Sequence, residues 1–485
     1  MAEVRSPQVA GQFYPSEPQQ LQQTIDQYLS KSMDAPALDG ELIAVLAPHA
    51  GYPFSGAIQG YSYHLLKKNS FNTVIVIGTA HYFPVEGAAV YDGSAYQTPL
   101  GVVATDKDFI KDLLGATSWI ESNSSAHDQE HSVETQIPFL QRTLSEGFQV
   151  VPIVMGGASL EVCQTIGRAI AQVAKIHQDR GKKTLLVASS DLTHYPTDED
   201  ARRVDSSTLE ALLTLDASYF AKVNAHWMKS GIHRLVCTYC GEGALTTVMI
   251  AAKAMGADHA HLWKYATSAD VPSGKKEKVV GYAAVAFIQS SQEKQEPTFS
   301  APKETQKKLL QMARATIEKG ILEKRPEKFD YPPGDPLLDQ PSAVFVTLKE
   351  KGELRGCIGA TEPRFPLGKA VQYFAFASAF QDPRFPPLSQ EETAKVDIEI
   401  SILSPLKRIQ SAQEIIPTFH GVVVKQGGRS GIFLPQVWGE TGWPKEVFLD
   451  QLCSQKAGLS ARAWQDPKTE LSIFTVFSFS EAETR

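Results

Sequence analysis

The run Leu42-Ile43-Ala44-Val45-Leu46-Ala47-Pro48-His49-Ala50-Gly51-Tyr52 constrains this chain most. An uninterrupted short apolar run reads as a β-strand buried on both faces, the kind found inside a parallel sheet. Pro48 then stops the strand and delivers His49 to its exit. The design returns at Thr73-Val74-Ile75-Val76-Ile77-Gly78-Thr79-Ala80-His81 and at Thr184-Leu185-Leu186-Val187-Ala188-Ser189-Ser190-Asp191-Leu192-Thr193-His194. In an open α/β sheet, ligands bind at the carboxyl ends of the strands. Three strands therefore aim three histidines at one rim.

Helical periodicity fills the stretches between these strands. Helices are expected over about 18–29, 55–67, 132–144, 160–177, 201–214 and 216–229, with another opening at Cys240-Gly241 and running to about Met255. A hairpin-like region lies around 91–104, a further strand covers 150–157, and a last one covers 279–288. This alternation predicts an α/β domain with a mostly parallel sheet and helices on both faces.

A chain of 485 residues exceeds what one hydrophobic core usually organises. Residues 1–290 form the first expected domain. The polar, proline-punctuated stretch 291–303 reads as a linker, and 304–485 as a second domain. There the rhythm changes. A helix over about 305–322 precedes a proline-rich loop and a hairpin of 343–348 with 353–359 around Lys351-Gly352, followed by a helix over about 366–380. Strands at 396–402, 422–425, 431–434 and 473–479 then predict an α+β unit built from antiparallel pairs.

No apolar run approaches the ~20 residues that span a bilayer, and the first residues lead into polar sequence rather than a signal-peptide core. A cytoplasmic protein is expected. Five cysteines in so long a chain do not make a disulfide framework, so a special cysteine would be catalytic or metal-binding. A net charge of -7 argues against a nucleic-acid surface. From Glu304 onward there are 23 basic and 23 acidic residues, so the excess lies in the first 303, as do eleven of the twelve histidines. Imidazole chemistry belongs to the first domain.

A metal needs donors converging at fixed distances, and strand ends hold donors more rigidly than loops. His49 and His81 are the best candidates. Cys240, at the start of an expected helix whose free N–H groups lower a thiol's pKa, is a candidate thiolate. Two imidazoles and a thiolate leave an open position and suit zinc, copper or iron rather than magnesium or calcium. Alternatively, each histidine simply hydrogen-bonds at the sheet rim. Asp191 and His194 form a carboxylate-imidazole pair able to orient a ligand or act as general acid and base, and Asp191 could equally cap a helix. His127-Asp128-Gln129-Glu130-His131 matches a metalloprotease pattern that needs a helix, but its upstream sequence looks like loop, so coincidence or a pocket wall accounts for it better. Cys237, in a lone C-x-x-C with Cys240, is taken as structural. In the second domain Arg355 stands two residues from Cys357, which could favour a reactive thiolate, or Cys357 is a small buried strand residue. Gly427-Gly428-Arg429-Ser430-Gly431 reads as a turn rather than a phosphate cradle.

Ala47-Pro48-His49-Ala50-Gly51-Tyr52, Gly78-Thr79-Ala80-His81, Glu130-His131-Ser132-Val133-Glu134, Ser189-Ser190-Asp191-Leu192-Thr193-His194 and Cys240-Gly241 together resemble the Memo family over about residues 5–290. That resemblance implies a fold like class III extradiol dioxygenases and iron or copper bound through His49, His81 and Cys240. Thr79 replaces a proline common in bacterial members, and Glu242-Gly243-Ala244 departs from the usual residues after Cys240-Gly241. Residues 304–480 resemble the AMMECR family through Leu354-Arg355-Gly356-Cys357-Ile358-Gly359, Asp382-Pro383-Arg384-Phe385-Pro386-Pro387 and His420-Gly421-Val422. The whole resembles a fusion of proteins B and A of the AmmeMemoRadiSam system. This implies a radical S-adenosylmethionine protein as partner and a dioxygenase-like redox activity with Fe2+, copper or zinc, or else a metal-holding or scaffold protein without turnover. His194 and Asp191, as a carboxylate-imidazole pair, and Cys357, from the guanidinium near it in sequence, are the expected catalytic residues.

Overall fold

A computed structural model of the protein describes residues 4–32, 38–68, 70–291, 301–323 and 336–484. Two compact units divide the chain, Met1–Glu293 with Thr441–Lys445, and Lys294–Glu440 with Glu446–Arg485. The expected linker falls mostly on residues 292–300, outside the described ones.

In the first unit the strands in chain order are β1 (Val4–Arg5), β2 (Gly40–Ala47), β3 (Thr73–Thr79), β4 (Ala88–Val90), β5 (Ala95–Thr98), β6 (Gly101–Ala104), β7 (Ile120–Ser122), β8 (Gln149–Met155), β9 (Thr184–Ser189), β10 (His259–Thr267) and β11 (Gly281–Ser290). Eight of them form one sheet in the order β10-β11-β2-β9-β3-β8-β4-β7. The four central strands, β2, β9, β3 and β8, run parallel. Their apolar runs are buried at successive positions, so both faces of this core are covered. Helix Tyr52–His64 packs on β2 and β11, while Glu242–Ala254 packs on β9 and β3 and against Leu160–Asp179. Because β9 lies between β2 and β3, with Ala47 opposite Ser189 and Ile77 opposite Ala188, the three histidine-bearing strands end side by side.

The flanks depart from the expectation of a mostly parallel sheet. β11 is antiparallel to both of its neighbours, β10 and β2, and β4 is antiparallel to β8. β10 is a strand that sequence periodicity misses. As the edge of the sheet it is only half buried and carries His261, Leu262 and Lys264 exposed, so it lacks an apolar run. The expected helix over 132–144 is shorter, a 3-10 turn Glu134–Gln136 followed by Ile137–Thr143 with Pro138 in its first turn.

The second unit is α+β, as expected. Its strands are β12 (Ala343–Glu350), β13 (Glu353–Gly359), β14 (Val396–Leu403), β15 (Lys407–Ile409), β16 (Gly421–Gln426), β17 (Arg429–Phe433), β18 (Glu470–Phe474) and β19 (Val476–Ser480). They pair antiparallel in two sheets, β13-β12-β14-β19 and β15-β18-β16-β17. Lys351 and Gly352 both take positive φ, 53° and 86°, the geometry of the tightest hairpin turn. β14 alternates: Val396, Ile398, Ile400 and Ile402 enter a core shared with helices Lys303–Glu323 and Leu367–Phe380. Among the described residues, no helix is long and apolar enough to cross a membrane.

Candidate metal centre

Each strand exit fixes its histidine by a hydrogen bond to one ring nitrogen. Past Pro48, the backbone amides of His49 and Ala50 donate to Asp191 Oδ1, at 2.8 and 3.3 Å. The His49 ring sets its Nδ1 3.1 Å from Ser189 Oγ. That hydroxyl already donates its one proton to the Ser132 carbonyl at 2.6 Å and accepts from Gln136 Nε2 at 2.8 Å. It can only accept from His49, so Nδ1 carries the proton and Nε2 keeps its lone pair. That lone pair faces the Cys240 sulfur at 3.1 Å.

His81 follows the same rule. Its Nδ1–H donates to Glu130 Oε1 at 2.9 Å and its backbone amide to Oε2 at 2.7 Å, again leaving Nε2 free. Burial would raise the Glu130 carboxyl, but hydrogen bonds from His81 and Ser132 hold it down at about 2. The loop bearing Glu130 is pinned beneath β3, because Gly78 has no side chain: a Cβ there would stand 2.3 Å from Ser132 Oγ. Behind the loop, buried Glu134 accepts from Arg5, Tyr14 and the amides of Gln8 and Val9, and Arg5 also donates to the carbonyls of His127 and Glu130.

Cys240 precedes helix Glu242–Ala254 by two residues, and Gly241 is the N-cap. The expected lowering of its thiol by the helix is not what the structure gives. Desolvation, then the Asp191 charge, pushes it well above its ordinary value. Without a cation it stays a thiol, and a bound metal is what would deprotonate it. His49 is also driven toward its neutral form, to about 3, by burial and then by His81. A neutral imidazole with its lone pair exposed is the ligating form, so the donors fit a soft or borderline transition metal.

Asp191 and His194 interact through charge, but no hydrogen bond joins them. Asp191 spends Oδ1 on the β2 exit, and its Oδ2 lies 3.9 Å from His49 Nε2. Nor does it cap a helix: Thr197 caps Asp198–Leu213. His194 donates from Nδ1 to the Leu192 carbonyl at 2.9 Å, so it too presents Nε2. Both line a cavity of about 480 Å³ with His49, His81, His131 and Cys240. Cys237 also lines it, its thiol pushed up to about 12 by desolvation.

His131 is the site residue that the search for strand exits missed. Its ring stacks on His81 at 4.6 Å between centroids and stands edge-on to His49 at 5.4 Å. The signal was present in His127-Asp128-Gln129-Glu130-His131, but the two histidines part company. His127 is buried between Tyr96 Oη and the Ala89 carbonyl, while His131 turns to the cavity. Among the described residues, the groups of three donors whose ligand atoms lie within 4.8 Å of one another are His49, His81 and His131, and His49, Asp191 and Cys240. The expected set of His49, His81 and Cys240 is not itself one of these groups but takes members from both.

In the second unit, Cys357 receives a hydrogen bond from Thr347 Oγ1 at 3.3 Å. Its thiol is raised by desolvation rather than lowered by Arg355. Arg355 forks onto Glu392 at 2.8 and 3.1 Å, and the arginine beside Cys357 is Arg384, which bonds Asp382 and the Cys357 carbonyl. Gly427 and Gly428, with φ of 55° and 83°, turn between β16 and β17 as expected.

A family model described as Memo-like protein matches residues 5–286, and one described as AMMECR1 matches residues 310–479. A MEMO1 family protein of Nitrosopumilus maritimus is 35% identical over 288 residues, which cover 59% of this chain and 100% of that protein. A second, from Methanopyrus kandleri, is 36% identical over 290 residues, covering 58% of this chain and 98% of its own. The crystal structure of an uncharacterized protein from Pyrococcus horikoshii is 36% identical, covering 36% of this chain and 91% of that one, with a TM-score of 0.34.

Proposed function

Because the chain belongs to the Memo-like protein family and carries an AMMECR1 unit behind that domain, we propose that it is a metal-dependent redox protein whose chemistry takes place in the 480 Å³ cavity at the β2-β9-β3 rim. One observation carries this above all: with Nδ1 held by a hydroxyl that has no proton left to give, His49 Nε2 accepts from the Cys240 thiol 3.1 Å away, so an ion that replaces that proton meets both donors.

His49, His81 and Cys240 would hold the metal. Iron is the first choice, from the likeness to extradiol dioxygenases, with copper or zinc as rivals because sulfur is a soft donor. When bound, the metal supplies electron transfer and polarises a small molecule at the open position. The rest falls to this chain's own residues. Glu130 and Ser189 keep two imidazoles oriented, Asp191 anchors the β2 exit, and His194 Nε2 accepts or returns a proton on a molecule in the cavity. A radical S-adenosylmethionine protein is the partner proposed for the pathway. The second reading is a metal-holding protein without turnover, favoured by a thiolate where a dioxygenase would carry a carboxylate.

Anaerobic purification with metal analysis tests the centre, and oxygen consumption with candidate catechols then separates the readings. Near-stoichiometric metal in the wild type and its loss in His49→Ala and Cys240→Ala are expected. Full occupancy in the double variant would overturn the centre. Oxygen uptake that is abolished in His194→Ala with metal retained supports turnover, and no uptake with any substrate leaves the metal-holding reading.

A further inference from the structure

The two donor groups around His49 lie side by side, each with three ligand atoms within 4.8 Å of one another. One is all imidazole, the other a carboxylate and a sulfur with the shared histidine. Softness separates such sets: sulfur draws Cu(I), while three imidazoles suit borderline divalent ions such as Ni(II). His131 has the marks of a donor rather than a spacer. It is 8% exposed, lines the cavity, and its Nδ1 has no hydrogen-bond partner among the described residues. Glu130 bonds His81 Nδ1 at 2.9 Å and stands 3.6 Å from His131 Nδ1, and the two rings are stacked at 18°. One carboxylate thus faces both imidazoles from behind, the arrangement that orients metal-bound histidines.

We infer that the centre holds two overlapping ligand sets hinged on His49, an imidazole set completed by His81 and His131 and a thiolate set completed by Asp191 and Cys240, and that the ion decides which set is used. This rests on the metal centre proposed above and divides its ligands, with His81 joined by His131 for one class of ion and Cys240 joined by Asp191 for the other. His49 serves both because its Nε2 faces Cys240 at 3.1 Å while its ring stands 5.2 and 5.4 Å from those of His81 and His131. Soft ions sit toward the sulfur, borderline divalent ions toward the stacked pair.

The test uses the full chain stripped of metal and titrated anaerobically with two probes, Cu(I) and Ni(II), each in competition with a chromophoric chelator. His131→Asn is expected to weaken Ni(II) by about tenfold or more and leave Cu(I) unchanged, and Cys240→Ser to do the reverse. The wild-type Ni(II) complex should show no sulfur-to-metal charge-transfer band, a readout that needs no variant to fold. Ni(II) binding unchanged in His131→Asn, a strong charge-transfer band with Ni(II), or equal losses of both ions in both variants would overturn the two-set inference. Retention of both ions in His49→Ala would instead overturn the centre itself.

Discussion

Cys240 and Cys357 both stand among charged or titratable neighbours, and desolvation raises both thiols, yet their surroundings differ in kind. Around Cys240 the neighbours are imidazoles whose Nδ1 protons are spent on Ser189, Glu130 and Leu192, so their Nε2 lone pairs remain available. Around Cys357 the charges are matched pairwise, Arg355 with Glu392 and Arg384 with Asp382. Neutral donors that face one another across one exchangeable thiol proton invite a cation in its place. Ion pairs hold a fold together, and what they leave over beside Cys357, a buried Arg355 Nη1 without a hydrogen-bond partner among the described residues, is a proton donor and no ligand for a cation.

The largest expected effect separates the two cysteines outright. Cys240→Ala should weaken Cu(I) binding by the metal-free protein about tenfold or more, and Cys357→Ala should leave it unchanged. An equal weakening in Cys357→Ala would erase the distinction.

Acid should take the units apart in different windows. His49 and His127 sit at about 3 and His131 at about 4 in the fold, against roughly 6.5 when unfolded. A depressed histidine takes up its proton more readily in the unfolded chain, so the first unit loses stability as pH falls from about 6.5 toward 3. Asp382 and Glu392 are held at about 2, chiefly by Arg384 and Arg355. Their contribution is complete above about 4.5 and is lost as pH falls toward 2. Urea unfolding in a pH series, followed peptide by peptide by hydrogen exchange, should show the first unit weakening at pH 5 and the second only below 4. Simultaneous loss would contradict the contrast.

Smaller effects sharpen it. Arg355→Ala removes both hydrogen bonds to a partly exposed Glu392 and should cost the second unit about 1–2 kcal/mol in urea unfolding, with no change in metal affinity. Alkylation near neutral pH should label Cys357 no faster than Cys237, since both are partly exposed and both thiols are raised by desolvation. Rapid selective labelling of Cys357 would restore it as a reactive residue.

Much of this was legible in sequence because it depends on local order. Apolar runs at 42–47, 73–78 and 184–189 fix buried parallel strands, and a histidine following such a strand lands at its exit whatever the rest of the fold does. Lys351-Gly352 likewise fixes its hairpin through backbone preference alone. β10 escaped because an edge strand meets solvent on one side and needs no apolar run.

The sequence by itself thus determined the two architectures, the rim and its first two imidazoles. Only the tertiary structure decided the state of the centre. His131 joins it because Gly78 lets the loop of residues 130–134 close under β3, and the same loop turns His127 away. Cys240 is a thiol rather than a thiolate because it is desolvated beside Asp191, and Arg355 spends its hydrogen bonds on Glu392. Which charge or lone pair a side chain meets depends on segments distant in the chain. Desolvation and hydrogen-bond partners are properties of that assembled environment, so neither composition nor spacing records them.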